Sequence, residues 1–252
     1  MTVALYQSTV ATTAGSATTS SASASLTNVA QNLLYVSVIV NNSNAAPTVS
    51  DTNGNTYAAK MAQVADTHTP GRYISSFVAN AVAAGANIVT AQIAGNHGMT
   101  VFVAEVSGQS LLSTVYDAAG SNSNGQNFQA PPFGCYAVLT TVPPFGELIL
   151  STYSTQYANA SIGFTCGGGF TVVQTQPVGT TAVPAGAFAW QLASSNATYT
   201  TAWSDGSTGG PMVTISDCLF AGNTVPEFPA AGAQALSGQA ASLGLGLTPG
   251  TA

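Results

Sequence analysis

Charged side chains are scarce in this sequence. Asp, Glu, Lys and Arg make up only 4% of the 252 residues, whereas they account for about 25% of an average globular protein. Lys60 and Arg72 are the only lysine and arginine, so a basic nucleic-acid-binding surface is excluded. The surface must instead consist of uncharged polar and small residues. Because like charge keeps protein molecules apart in solution, this composition favours association between copies of the chain.

Cysteine is also rare, and the candidates for a disulfide are Cys135, Cys166 and Cys218. Their spacing matches no zinc-binding pattern of cysteines and histidines. One disulfide and one remaining thiol would fit an oxidising compartment. Buried thiols are the alternative interpretation, because Cys135 and Cys218 fall within apolar strand patterns.

Long apolar runs and helical periodicity are missing as well. No stretch approaches the roughly 18 uninterrupted apolar residues of a transmembrane helix, so we predict no membrane span. The sequence holds instead a succession of short apolar segments separated by Gly- or Pro-rich turns. This pattern predicts an all-β fold: a jelly-roll-like β-sandwich of two related halves with short terminal extensions.

The prediction of two related halves depends on an internal repeat. Shifted by 111 residues, Phe77–Val106 lies without a gap on Phe188–Asp217, with six identical pairs among thirty. Both copies have the order strand, polar turn, strand, Gly-rich turn, strand; chance similarity of β-hairpins is the alternative. We predict one β-sandwich domain over residues 1–221, with halves at 1–107 and 112–221.

Two interpretations are open for the segment that joins the halves, and two for the segment that follows them. A polar stretch, Ser107–Gln126, joins the halves of the single sandwich, whereas two small sandwiches would be joined near Ser107–Pro132. Residues 222–252 form a C-terminal extension rich in small residues and proline. It is either an unstructured terminus or a segment that docks on a neighbouring subunit.

Three segments give more local predictions. Leu33–Val40 is almost continuously apolar, which predicts a central strand buried on both faces. Thr48–Asp51 and Tyr57–Val64 flank Asn53-Gly54, a dipeptide that favours type I′ turns, and are predicted to form a hairpin. The Ser/Thr/Ala-rich run Ala11–Ser25 has the composition of a flexible loop or linker.

Several short features follow one another in an order seen elsewhere: Tyr6–Ser8, Asp51–Tyr57, Phe77–Asn80 and Ala104–Gly108. Over residues 3–221 the chain resembles a loosely defined class of β-sandwich domains of secreted, cell-surface and phage-associated proteins. The resemblance implies an exported structural or adhesive module, with no catalytic residues to transfer. Val225–Pro229 is similar to a motif near the C-terminus of some archaeal surface-filament proteins.

The sequence contains one candidate metal site and three candidate glycosylation sites. Asp51, Asn53 and Asn55 have the alternating oxygen ligands that begin a calcium loop, but the later bidentate glutamate is missing and a structural turn explains the same residues. Calcium is the only cofactor that the sequence suggests. N-glycosylation sequons begin at Asn41, Asn159 and Asn196, each at a predicted strand end or turn.

Aromatic side chains offer a candidate ligand surface. Trp203, which precedes the last predicted strand, and Trp190 are the candidates for stacking on a sugar ring. Packing on a strand face is the alternative. His68 and His97 both lie in turns, and no serine has the context of a nucleophile elbow, so no enzyme is expected.

The functional expectation is a non-enzymatic structural subunit. It would assemble with copies of itself into an extracellular filament, a sheath or a virion coat. The expected location is therefore outside the cell or at the cell surface, with a virion as the alternative. The alternative is a carbohydrate-binding or adhesive surface module whose partners are glycans. Neither function involves nucleic acid.

Overall fold

The described part of the chain consists of β-strands and the turns and loops between them, and it contains no helix. The structure is a computed structural model. It describes residues 3–16, 18–65, 71–80, 82–108, 122–129, 136–138, 146–155, 163–177, 182–195, 197–206 and 210–220, with the backbone alone at 62, 122–129, 136–138, 210–211 and 220. Within these ranges no helix is long and apolar enough to cross a membrane. The all-β prediction is therefore confirmed.

The first half of the chain contributes eight strands. They are β1 Ala4–Thr13, β2 Thr19–Asn28, β3 Leu33–Asn41, β4 Thr48–Asp51, β5 Ala58–Ala65, β6 Arg72–Ala79, β7 Gly85–Ala94 and β8 Met99–Ser107. Sheet A has the order β1-β8-β3-β6-β5, and sheet B has the order β2-β7-β4, with antiparallel neighbours throughout.

The second half contributes nine strands. They are β9 Asn122–Gln129, β10 Tyr136–Val138, β11 Glu147–Thr155, β12 Thr165–Gly167, β13 Thr171–Gln176, β14 Ala185–Ala193, β15 Thr198–Thr200, β16 Ala202–Ser204 and β17 Gly210–Phe220. Sheet C has the order β13-β14-β11-β17-β9, and two short ribbons pair β10 with β15 and β12 with β16.

Each half has the strand order of a jelly roll. In the first half β1 lies beside β8, β2 beside β7 and β3 beside β6, while β5 joins β6 instead of β4. Sheet C repeats the order of sheet A. In the second half the counterpart of β7 is divided into two short strands, β15 and β16. The ribbons β10-β15 and β12-β16 therefore correspond to the pairings β2-β7 and β4-β7. The prediction of two related halves is confirmed.

Sheet A is the central layer and is covered on both faces. Side chains such as Tyr35 and Ile39 pack against Leu150 and Phe188 of sheet C. The alternate side chains of β3, Leu34, Val36, Val38 and Val40, pack against sheet B. Every residue of β3 is buried, so the prediction of a strand covered on both faces is confirmed. The other face of sheet C carries a third cluster that includes Phe164 and Trp203.

Two local predictions are wrong. Much of Ala11–Ser25 is not a loop, because β1 extends to Thr13 and β2 begins at Thr19. In β2 the alternate residues Ala22 and Ala24 are buried and their neighbours are exposed, so small side chains satisfy the period-two pattern of a half-buried strand. In the same way, part of the Ser107–Gln126 connection belongs to β9.

The predicted hairpin at Asn53-Gly54 is also wrong. Strand β4 pairs with β7 in sheet B, whereas β5 pairs with β6 in sheet A. Gly54 has a φ of 72°, but Asn53 does not have the positive φ that a type I′ turn requires. The segment between the strands therefore leads the chain from one sheet to the other.

Candidate functional site

A buried carboxylate joins the two halves. Asp217 of β17 is fully buried, and its Oδ2 accepts hydrogen bonds from the Tyr35 hydroxyl at 2.7 Å and from the Ser76 hydroxyl at 2.6 Å. Both donors belong to sheet A. Its Oδ1 has no hydrogen-bond partner among the described residues. Burial raises the pKa of Asp217 above its usual value, against the opposing effects of Ser76, Tyr35 and the charge of Lys60.

The raised pKa gives a sign to the pH dependence of stability. The folded chain holds the Asp217 proton more tightly than the unfolded chain, so this group's contribution to the free energy of unfolding falls as pH rises above about 3.8. We expect Asp217→Asn to remove that decline, because an amide does not titrate. Urea unfolding of both proteins between pH 3 and 8 measures the difference. A difference that stays constant over this range would contradict the prediction.

A second polar cluster lies within the second half. The Tyr153 hydroxyl donates a hydrogen bond to Asp205 at 3.1 Å, and both residues are buried. Burial, reinforced by the negative charge of Asp205, raises the pKa of Tyr153, while the positive charge of Arg72 opposes this shift. Arg72 belongs to β6 and is itself 5% exposed, so a cation of the first half acts on a cluster of the second.

A third carboxylate fixes one corner of the first half. Glu105 of β8 is fully buried. It accepts hydrogen bonds from the backbone N–H of Val29 at 2.7 Å, from the Asn32 amide at 2.8 Å and from the Gln7 amide. These donors tie the β2–β3 turn to sheet A and add a side-chain contact between the neighbouring strands β1 and β8. Sequence reasoning missed Glu105 and Asp217, although a charged residue inside an otherwise apolar strand was a visible signal.

The charged side chains of the described residues all lie within the fold. Arg72, Glu105, Glu147, Asp205 and Asp217 are buried. The other two, Asp51 and Lys60, are half-buried. Over the part of the chain that the structure describes, the surface therefore carries no fully exposed charged side chain.

Two of the three candidate calcium residues, Asp51 and Asn55, are joined in a hydrogen-bonded turn, whereas the side-chain nitrogen of Asn53 has no hydrogen-bond partner among the described residues. The Asp51 carboxylate accepts bonds from the Asn55 backbone N–H at 3.0 Å, the Asn55 amide at 2.7 Å, the Tyr57 hydroxyl at 2.8 Å and the Asn87 amide at 2.9 Å. Partial burial works against ionisation, but these donors outweigh it and lower the pKa of Asp51. Protein donors thus occupy the carboxylate, and no group of three or more His, Cys, Asp or Glu in the described ranges is arranged to hold a metal ion.

The sugar-stacking hypothesis for Trp203 is wrong because its ring has no exposed face. Trp203 is completely buried, stacks on Tyr153 with ring centroids 5.4 Å apart, and donates an indole N–H bond to the Ser151 hydroxyl at 3.2 Å. Trp190 is half-buried and packs against the cluster between sheets A and C. The position of Trp203 just before the last strand concealed its role in the core.

The remaining candidates are dispersed. Asn41 is buried at the end of β3, a position that disfavours a glycan, which must extend into solvent. Asn159, Asn196 and Cys135 lie outside the described residues. Cys218 is buried and Cys166 half-buried, and both contribute to the third apolar cluster. Disulfide formation remains a prediction.

A small polar cleft of about 230 Å³ lies where the halves meet, near Asn41, Asn96, His97 and Ala182. The His97 backbone N–H donates to Ser20 at 2.9 Å, and His97 Nδ1 lies 3.1 Å from the Asn41 carbonyl oxygen. His97 thus helps to close the β7–β8 turn over β3. His68 lies outside the described residues.

Comparison with known proteins finds no family model, no curated protein and no solved structure that matches this chain.

Proposed function

We propose that this chain is a non-enzymatic structural subunit that assembles with copies of itself, as a filament, sheath or virion coat outside the cell. The observation that carries the proposal is the placement of charge. The described charged side chains are buried or half-buried, and one of them, Asp217, accepts hydrogen bonds that join the two halves. In the part of the chain that the structure describes, the fully exposed side chains are all uncharged, and such a surface offers little repulsion to another copy.

The architecture supports the same role. A continuous apolar core between sheets A and C joins the two jelly rolls, so each half packs against the other. The carboxylates of Asp217, Glu105 and Asp51 accept hydrogen bonds that fix strands and turns. Their contacts are those of structural groups.

Electron microscopy of the purified protein, with a mass measurement of each state, tests this proposal. We expect ordered assemblies without any added ligand. We also expect their yield to change little between about 0.05 and 0.5 M salt. Salt screens interactions between exposed charges, and an interface of uncharged residues has few of these. A strict monomer at high concentration would refute the proposal.

An adhesive or carbohydrate-binding module is the second candidate. The observation that favours it is Tyr6 of β1, whose side chain is 56% exposed and presents an aromatic ring on which a sugar can stack. Binding of the monomer to a glycan array, abolished by Tyr6→Ala, would support this function over the structural one.

A further inference from the structure

Strand β2 has one paired and one open edge. It lies at the end of sheet B and pairs only with β7 among the described strands. The Gly95 N–H donates to the Thr18 carbonyl oxygen at 2.9 Å, so the backbone groups of Thr18, and of every second residue after it, point towards β7. The backbone groups that point away belong to Thr19, Ser21, Ser23, Ser25 and Thr27.

Two side-chain contacts agree with this assignment. The Gln7 amide of β1 reaches the Thr27 carbonyl oxygen at 2.7 Å from the open side. The Ser23 and Thr90 hydroxyls lie 2.8 Å apart, as side chains do in the close, non-hydrogen-bonded pairs of an antiparallel ladder. The open edge therefore runs along β2, with one end partly satisfied by Gln7.

The other described sheet edges are shorter, irregular or covered. Strand β4 has only four residues. The pairings of β5, β13 and β9 with their neighbours contain register shifts, and the ribbon strands β10, β12, β15 and β16 have three residues each. The β1 edge is contacted by β13, where the Gln174 amide donates to the Ser8 carbonyl oxygen at 2.9 Å. Strand β2, by contrast, pairs in unbroken register over ten residues and contains no charge or proline. Long edges without such interruptions are sites of strand addition.

We propose that β2 of one copy pairs antiparallel with β2 of a second copy, about a two-fold axis at Ser23. This inference depends on the proposed self-association and specifies one of its contacts. With Ser23 opposite Ser23, Ser21 lies opposite Ser25 and Thr19 opposite Thr27, so each outward-pointing residue meets another. The two three-stranded B sheets become one six-stranded sheet.

The composition of the strand favours a second copy as the occupant. A strand without charge meets no like-charge repulsion when it pairs with itself. The exposed face brings Ser and Thr hydroxyls opposite one another, which is a favourable cross-strand pairing. The buried face brings Ala22 opposite Ala24, where small side chains let the sheets continue without a clash. An isologous contact of this kind closes as a dimer, and a larger assembly requires another surface.

Ser23→Lys tests the pairing because it places two ammonium groups opposite each other at the axis. We expect the dimer dissociation constant, measured by analytical ultracentrifugation, to rise roughly tenfold or more. Ser23→Thr keeps the hydroxyl and should leave it unchanged. Gln92→Lys adds the same charge on the exposed face of β7, away from the edge, and should also leave it unchanged. Circular dichroism verifies that each variant is folded.

Cross-linking gives a second, independent test. In the proposed register two Ser23→Cys chains place their Cα atoms about 5.5 Å apart, within the range of a disulfide. Thr19→Cys chains place theirs about 27 Å apart. We expect an oxidised 23–23 dimer, located by peptide mapping, for the first variant and no 19–19 dimer for the second.

The outcomes separate this inference from the proposed function. Ordered wild-type assemblies that Ser23→Lys leaves unchanged, with no 23–23 cross-link, would overturn β2 pairing and leave the structural role standing. A cross-linked dimer without any larger assembly would support β2 pairing and overturn the polymer. A wild-type protein that stays monomeric, together with a Ser23→Cys variant that forms no 23–23 cross-link, would overturn both.

Discussion

Trp203→Ala is expected to lower the free energy of unfolding by about 4 kcal/mol, the usual cost of removing a large buried aromatic side chain. The indole fills the core on the outer face of sheet C, where it stacks on Tyr153 and packs near Phe164. Its N–H also bonds to the Ser151 hydroxyl, so the substitution leaves a cavity and removes one hydrogen bond of that hydroxyl, which still donates to the Ile215 carbonyl oxygen. Urea unfolding, followed by circular dichroism, measures the loss.

Leu192→Ala is the control for this measurement. Leu192 lies at the end of β14 with 39% of its surface exposed, so its truncation should cost only about 0.5 kcal/mol. If Trp203→Ala were as mild as Leu192→Ala, the indole would not be a core residue. The ligand-stacking role would then return as an explanation for this tryptophan.

Gly98→Ala is expected to cost about 3 kcal/mol, at the upper end of what overpacking usually costs. Gly98 lies in the turn between β7 and β8, directly against the backbone of Ala182 in the second half. A Cβ atom at this position would overlap the Ala182 carbonyl oxygen. A backbone oxygen does not rotate aside as a side chain does, so the two halves must separate locally.

Gly163→Ala provides the matched control. A Cβ atom added there meets nothing within 4 Å, and the backbone is not in the left-handed region. Thermal unfolding of the two variants should therefore give a clear decrease in Tm for Gly98→Ala and almost none for Gly163→Ala. Equal decreases would show that the contact between the halves at Gly98 does not constrain stability.

The sequence predicted the features that large apolar side chains dictate. The run at Leu33–Val40 is buried on both faces because sheet A is the middle layer. The 111-residue repeat corresponds to real strands: the shift carries Asn87–Val89 onto β15 and Ala91–Ile93 onto β16. Spacing was a better guide than identity, because strand length and turn position are set by the sheets.

The predictions failed where they depended on local composition or on a local turn preference, because the pairing of strands distant in sequence decided the structure. Strand β2 was missed because alanine and serine carry little apolar contrast, although Ala22 and Ala24 do face the core. Asn53-Gly54 suggested a hairpin from local turn preference, but the Asp51 hydrogen bonds and the pairing of β5 with β6 decided otherwise. Long-range partners such as Tyr35 and Asp217, 182 residues apart, have no local signature.

The positions of the two basic residues bear on the survival of this molecule among trypsin-like proteases, which cut after lysine and arginine. The chain offers them only Lys60 and Arg72. Both lie within paired strands of sheet A, and Arg72 is 5% exposed. A protease needs a locally unfolded segment, so cleavage at either site follows the opening of sheet A. Resistance to such digestion is thus set by the stability of the core between the two halves.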